Sequence, residues 1–248
     1  MTWTTLSASS GRYAFTSTSP SISFSYVFTP GDLVVVYGSW KNTSDIILPD
    51  GWTLVAKALQ GTDDTTSSTI ASGMMAYFIH DGRSGEATFT LETGVVGGLT
   101  RAAYRHTDGI VFDGGGVETA AASTNTFALS SGLTTSAPNC LLIAAGCSGR
   151  STQITGYAST DPANAAGATD TVTEPTAGQW IRRNNVNSTA GSDCARGHAD
   201  AIKATAGPTG PISATVGTAH RPVMIAAAFR PASAAPERQR SRLILTPW

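Results

Sequence analysis

The stretch Leu33-Val34-Val35-Val36-Tyr37 is an uninterrupted apolar run made mostly of β-branched and aromatic residues. Such a run favours a strand that is buried on both faces, because a strand with one solvent face would alternate apolar with polar residues. The preceding residues, Thr29-Pro30-Gly31-Asp32, have the composition of a turn. The stretch therefore predicts a central strand of a β-sheet that is covered on both sides.

Further short runs follow the same rule along the chain, and turn residues separate them. Residues 74–79, 141–145 and 223–229 are entirely apolar, residues 99–104 make a further predicted strand, and residues 21–28 alternate apolar with polar. No segment repeats its apolar residues at helical spacing. Strands at intervals of about ten residues predict an all-β protein, an antiparallel β-sandwich or barrel.

A weak internal repeat divides the chain. Residues 85–91 resemble residues 210–216, and residues 102–105 resemble 227–230, in both cases 125 positions apart; residues 31–37 resemble 139–145, 108 positions apart. The repeat predicts one β-sandwich over residues 1–230, made of similar halves at about 1–112 and 117–230. Asp113-Gly114-Gly115-Gly116 would link the halves, and the second half would carry about 17 extra residues near 156–187. We expect four strands from each half to form one eight-stranded, jelly-roll-like double sheet.

The composition excludes several classes of protein. Charged residues make up 13% of the chain and its net charge is −1, so it lacks the basic excess of a nucleic-acid binder. The longest apolar run, residues 223–229, is too short to cross a membrane as a helix. The first residues do not resemble a signal peptide, so we expect folding in the cytoplasm. Ser and Thr together number 61 and supply the polar surface.

Chemistry-bearing residues give little sign of catalysis. The three cysteines are predicted to be reduced core thiols, and the four histidines to lie at strand ends or turns with no metal-binding spacing. Most aspartates lie among Gly, Pro, Asn and Thr, where they favour turns. There is no G-x-S-x-G sequence and no phosphate-binding loop. We therefore expect a protein that is not an enzyme and that needs no metal or cofactor.

The segment around Trp180 has two interpretations. Trp180 stands beside Arg182, Arg183, Asn184 and Asn185, a combination of a stacking ring with planar hydrogen-bonding groups. On one interpretation these residues contact a sugar or another protein at the rim of the sandwich. On the other, they pack within the second-half insertion.

The C-terminal residues 231–248 differ in composition from the rest of the chain. Residues 231–236 resemble a linker, and they precede a basic and apolar arm. In an extended arm the three arginines share one face, and an apolar end follows them: Arg238, Arg240, Arg242, Leu243, Ile244, Leu245 and Trp248. Either this arm folds back as a last strand of its own domain, or it binds a neighbouring protein by β-augmentation.

Four short motifs resemble those of a group of tailed-bacteriophage proteins. They are Gly31-Asp32-Leu33-Val34-Val35, the turn and strand at residues 49–55, Ala102-Ala103-Tyr104-Arg105, and residues 226–231. His106 departs from the pattern, since Gly is common there in the group. The resemblance covers residues 20–232 and implies a jelly-roll-like virion domain of the tail, a fibre or the head surface, with no catalytic motif.

The expected function follows from that resemblance. It implies a non-enzymatic structural protein of the virion that contacts other virion proteins and copies of itself, with a trimer expected by analogy to fibres. An alternative is a carbohydrate-binding module that recognises a host-surface glycan through the residues around Trp180. A third hypothesis, a polysaccharide depolymerase, would require two carboxyl groups at hydrolase spacing in one pocket.

Overall fold

The computed structural model describes residues 2–7, 13–15, 18–23, 28–60, 71–82, 86–92, 97–149, 152–161, 174–188 and 194–233. All regular secondary structure in these residues is β-strand, which confirms the all-β prediction. The strands are β1 (Trp3–Ser7), β2 (Tyr13–Phe15), β3 (Ser21–Ser23), β4 (Leu33–Trp40), β5 (Ile46–Ile47), β6 (Thr53–Ala58), β7 (Ser72–Ile79), β8 (Glu86–Thr88), β9 (Thr90–Leu91), β10 (Gly97–His106), β11 (Ile110–Thr119), β12 (Thr124–Leu129), β13 (Thr134–Thr135), β14 (Cys140–Ser148), β15 (Ile154–Ala158), β16 (Ile181–Ser188), β17 (Cys194–Lys203), β18 (Gly207–Pro208), β19 (Ile212–His220) and β20 (Val223–Pro231).

Two large antiparallel sheets form the centre of the molecule. The first has the order β1-β10-β4-β7-β6, with β2 also paired to β10, and the second has the order β11-β20-β14-β17-β16. The two orders are the same when β1 is matched with β11, β10 with β20, β4 with β14, β7 with β17 and β6 with β16. The halves of the chain therefore have one topology.

Smaller sheets cover the outer face of each large sheet. In the first half β3 pairs with β8 and β5 with β9, and in the second half β12, β19 and β15 form one sheet. Between each large sheet and its cover lies a separate apolar core. One contains Val36, Met74 and Phe89, and the other contains Leu142, Trp180 and Ile212. Each half is thus a β-sandwich, and the predicted antiparallel sandwich is confirmed.

Strand register shows that the halves are similar residue by residue. Leu33 pairs with Tyr104 in the first large sheet, and Leu141 pairs with Phe229 in the second. Residues 33 and 141 are 108 positions apart, and residues 104 and 229 are 125 apart, which are the two offsets of the sequence repeat. The prediction of two similar halves is therefore confirmed at the level of pairing.

The predicted arrangement of the halves was wrong. Four strands per half were expected to combine into one double sheet, but each half has its own sandwich and the two large sheets pack face to face. A third core lies between them and includes Leu33, Val35, Leu141, Ile143 and Phe229. This four-layer stack explains why β4 and β14 are mostly apolar, since both strands are buried along their whole length.

The contacts between the large sheets follow an approximate two-fold pattern. Strand β7 contacts β14 and β20, and its counterpart β17 contacts β4 and β10. These are the same contacts with the two halves exchanged, which is the pattern of an isologous dimer. The chain therefore resembles a dimer whose two copies are joined end to end.

One boundary prediction needs correction. The expected linker at Asp113-Gly114-Gly115-Gly116 lies inside β11, and the chain passes between the halves at residues 107–109 instead. The extra residues of the second half lie between β15 and β16, within the predicted range of 156–187, because β5 and β15 correspond in register whereas β6 and β16 do not keep the same offset. Strand β17, which begins at Cys194, is buried throughout.

All three cysteines are buried thiols, as the sequence predicted.

Candidate functional site

The predicted stacking surface at Trp180 is wrong. The Trp180 side chain is 1% exposed and packs in the core of the second sandwich, and its indole nitrogen donates to Ser159 Oγ at 2.9 Å. Trp180 directly precedes β16, as Trp52 precedes the matching strand β6. It is therefore the second-half counterpart of Trp52, and the packing interpretation accounts for it.

A bulge in β16 directs two successive side chains, Arg183 and Asn184, into the molecule. The pairing of β16 with β17 shifts between Arg182 and Asn184, and β6 has the same shift between Leu54 and Ala56. A bulge places an extra residue opposite one partner, so successive side chains can face the same side. Arg183 and Asn184 consequently both lie buried at the contact between the large sheets, while Arg182 and Asn185 are half-buried.

Arg183 forms a buried ion pair that reaches the first half. Its Nε donates to Asp200 Oδ2 at 2.6 Å, and the Tyr104 hydroxyl donates to the same oxygen at 2.8 Å. Both charged side chains are fully buried. Burial raises the pKa of Asp200, and Arg183 and Tyr104 oppose that shift. Burial also acts to lower the pKa of Arg183, but the Asp200 carboxylate outweighs it and the net shift is upward.

A second group joins Tyr37 of the first half to two residues of the second. The Tyr37 hydroxyl donates to Asn184 Oδ1 at 2.6 Å and lies 2.5 Å from His198 Nδ1. Because the hydroxyl proton points to Asn184, the His198 contact requires a proton on Nδ1. Burial lowers the pKa of His198 to about 3, with a further contribution from Arg183, so the imidazole is neutral.

Arg196 makes the third contact between the halves. Its Nε donates to Thr100 Oγ1 at 2.5 Å and its Nη2 donates to the backbone carbonyl of Leu99 at 3.1 Å. The guanidinium lies against Gly98, where a Cβ atom would come within 2.1 Å of Nη1. Gly98 is therefore required for this arginine to occupy its position.

These residues form what we call the polar cluster: Tyr37, Thr100, Tyr104, Arg183, Asn184, Arg196, His198 and Asp200. One of the two sequence interpretations placed Arg183 and Asn184 at a rim and the other packed them within the insertion, and neither identified the other members of the cluster. Arg196, His198 and Asp200 alternate with Gly197 and small residues, so a spacing of two was the available signal. The prediction of strand ends or turns for all histidines was wrong for His198, which lies within β17.

Four other described acids form ion pairs. Asp32 binds Arg105 at 2.7 Å, and Asp113 lies 3.7 Å from Arg230, the counterpart of Arg105. Two lysine pairs complete this set, Lys57 with Asp45 and Lys203 with Asp161. Within the described ranges there is no group of three or more His, Cys, Asp or Glu that could hold a metal ion.

A small cleft opens at the seam between the halves. Its volume is about 300 Å³, and its lining includes Trp3 from β1 and Asn139, Glu174 and Ile202 from the second half. The Trp3 indole donates to the Asn139 carbonyl at 2.8 Å, and Glu174 Oε2 accepts from the Thr5 amide at 2.9 Å. The cleft walls are thus tied together by hydrogen bonds that cross the seam.

The predicted arm lies outside the described residues, which end at residue 233. Its seven predicted contact residues are Arg238, Arg240, Arg242, Leu243, Ile244, Leu245 and Trp248.

Comparisons with protein-family models, with curated proteins and with solved structures found no match. No helix in the described part of the chain could cross a membrane.

Proposed function

We propose that this chain is a non-enzymatic structural component of a tailed-phage particle, at the tail tip, on a fibre or on the head surface. On this proposal the body is a rigid support, and residues 237–248 bind a neighbouring virion protein or another copy of the chain. The observation that carries the proposal is the position of β20, the last strand before the arm.

Strand β20 lies in the interior of its sheet. It pairs with β11 on one side and with β14 on the other, so no further strand can add beside it. A final strand that folded back would have to travel to a sheet edge. This pairing therefore favours an arm that leaves the body.

The starting point of the arm is fixed on the body. The Ala232 amide donates to the Gly109 carbonyl at 3.1 Å, and the Ser233 hydroxyl donates to Asp108 Oδ2 at 2.6 Å. Both contacts hold the chain against the turn that joins the two halves. A force exerted on the residues that follow would therefore act on both sandwiches.

The resemblance to phage proteins and the jelly-roll assignment belong to the same proposal. The four motifs of the resemblance include residues of β4, β6, β10 and β20, all in the large sheets. Counting the eight principal strands of the second half in chain order, the large sheet joins strands 1-8-3-6-5 and the small sheet joins 2-7-4. This nesting of first with last strands supports a jelly roll in each half. The glycan-binding alternative is not favoured, because Trp180 offers no ring at the surface.

The test is deletion of residues 236–248 in phage particles assembled with the shortened chain. We expect the purified shortened protein to keep the secondary structure and cooperative unfolding of the full chain, and to be absent from purified particles. Unfolding of the shortened protein would show that the arm belongs to its own domain. Normal incorporation of the shortened protein would overturn the arm's role in assembly.

A matched pair of charge variants tests the basic face of the arm. Arg238→Glu, Arg240→Glu and Arg242→Glu together reverse the face that carries the arginines. Gln239→Glu and Ser241→Glu place acidic groups on the opposite face of the same extended segment. We expect the first variant to lose incorporation and the second to retain it. Equal incorporation of both would contradict recognition through the arginine face.

A further inference from the structure

The second-half residues of the polar cluster are not repeated at the matching positions of the first half. Strand register matches Arg183, Asn184, Arg196, His198 and Asp200 with Val55, Ala56, Gly73, Met75 and Tyr77. The bulge that contains Val55 in β6 corresponds to the bulge that contains Arg183 in β16. Five charged or polar positions of one half are therefore mostly apolar in the other, although both sets face the same central layer.

The first-half set packs in an aromatic cluster on the other side of the approximate two-fold axis. The Tyr77 ring stacks on Phe112 with centroids 5.2 Å apart and meets Phe229 edge-on at 5.2 Å. A Cβ atom on Gly115 would come within 2.5 Å of Val55, so this side is closely packed as well. The contact between the two large sheets is therefore polar on one side of the approximate two-fold axis and aromatic on the other.

A second half paired with another copy of itself would lose the partners of its polar residues. Phe229 occupies the position that corresponds to Tyr104, so Asp200 would meet a ring with no hydroxyl. Ala145 corresponds to Tyr37, and Asn184 would lose its donor. Burying polar groups without partners destabilises a contact, so pairing of two second halves is disfavoured.

Steric fit opposes that self-pairing too. Gly98 corresponds to Val223, and the Arg196 guanidinium lies where a side chain at residue 98 would begin. The valine side chain would therefore displace the arginine from its contacts. A first half paired with itself has the complementary defect, because Tyr37 would face Met75 in place of Asn184 and His198.

We infer that the polar cluster selects the partner of the central sheet contact: the second half binds a first half in preference to another second half. When the two different halves meet, first-half hydroxyls give Asn184 Oδ1, Asp200 Oδ2 and Arg196 Nε a hydrogen-bond partner each. Two identical halves would bury unpartnered polar groups and a misplaced guanidinium. The partner surface is therefore the β4 and β10 face with its Tyr37 and Tyr104 hydroxyls and Gly98.

The test uses the full chain with a protease site inserted between Asp108 and Gly109 in the joining turn. After cleavage, the nicked protein is unfolded in urea and refolded as one mixture, and native mass spectrometry identifies the pairs. We expect pairs of unlike halves to exceed pairs of second halves at least about tenfold over random pairing, which corresponds to 1.4 kcal/mol. Pairs formed in random proportion, or failure of unlike halves to pair, would overturn the inference.

The matched variant carries Arg183→Val, Arg196→Gly and Asp200→Tyr, which gives the second half the residues of the first at these positions. We expect pairs of second halves to appear after the same cleavage and refolding. If the variant showed the wild-type pairing ratio, the polar cluster would not be the selecting feature.

A second measurement on the intact chain does not depend on refolding of a nicked protein. Tyr104→Phe and Asp200→Asn are made singly and together, and Tyr77→Phe replaces Tyr104→Phe in a control cycle. We expect the Tm loss of the Tyr104 and Asp200 double variant to be smaller than the sum of the single losses, and the control cycle to be additive. Additive losses in the first cycle would overturn the inference, since Tyr104 would not be a partner of Asp200.

Discussion

His198 makes folding stability depend on pH in a way that can be calculated. Its pKa is lowered to about 3 in the folded protein, first by burial and then by Arg183, from 6.5 in an unfolded chain. Between these two values the unfolded state binds a proton that the folded state does not. The contribution of His198 to stability is therefore fully present above pH 6.5 and decreases as the pH falls towards 3.

The magnitude follows from the interval between the two pKa values. Each pH unit below 6.5 costs about 1.4 kcal/mol while the folded histidine stays neutral. Lowering the pH from 7.5 to 5 should therefore remove about 2 kcal/mol of unfolding free energy through His198. The replacement His198→Met removes the titrating group and introduces the residue found at the matching position, Met75.

The assay is urea unfolding of the wild type and of His198→Met at pH 7.5 and pH 5, with tryptophan fluorescence as the measure of unfolding. Other titrating groups change both proteins in the same way, so the difference between the two pH-dependent losses isolates His198. We expect the wild type to lose about 2 kcal/mol more than the variant. Equal losses in the two proteins would show that the folded histidine accepts a proton as readily as an unfolded one, and would refute a neutral His198.

Three further predictions concern packing and ion pairs, and urea unfolding measures each of them. Gly98→Ala should cost about 3 kcal/mol by displacing the buried Arg196 guanidinium, and adding Arg196→Met should recover part of the loss; no recovery would contradict the proposed clash. Trp180→Ala should cost about 3–5 kcal/mol because the ring is a core residue, whereas a surface ring would cost little. Asp32→Asn should cost about 1–3 kcal/mol, because the Asp32 side chain is buried and Arg105 holds its pKa below the usual range against the effect of burial; the exposed Asp45→Asn is its control and should cost less than about 1 kcal/mol.

Several core strands could be predicted because their residues are apolar on both faces. Residues 33–37, 141–145 and 223–229 lie in β4, β14 and β20, which the four-layer stack covers on both sides. The repeat offsets were also readable, since residues that occupy matching positions in matching strands keep their spacing along the chain. Pattern and spacing therefore gave the strands and the similarity of the halves.

Strands β16 and β17 could not be predicted, and the reason is physical. Their inward-facing positions include Arg183, Asn184, His198 and Asp200, residues that a sequence pattern assigns to a surface. Distant parts of the fold supply partners for some of their atoms: the Tyr37 hydroxyl donates to Asn184, and the Tyr104 hydroxyl and Arg183 donate to Asp200. The same effect misled the interpretation of Trp180, whose polar neighbours suggested a binding rim.

The sequence by itself determined the all-β class, the antiparallel sandwich and the division into two similar halves, because backbone pairing and apolar burial leave a local periodic pattern. The tertiary structure decided how the halves meet and which polar groups are buried. Those features depend on partners that are distant in the sequence. Tyr104 and Asp200, for example, are hydrogen-bonded although they are 96 positions apart in the chain. A local pattern carries no information about which distant group will satisfy a buried charge.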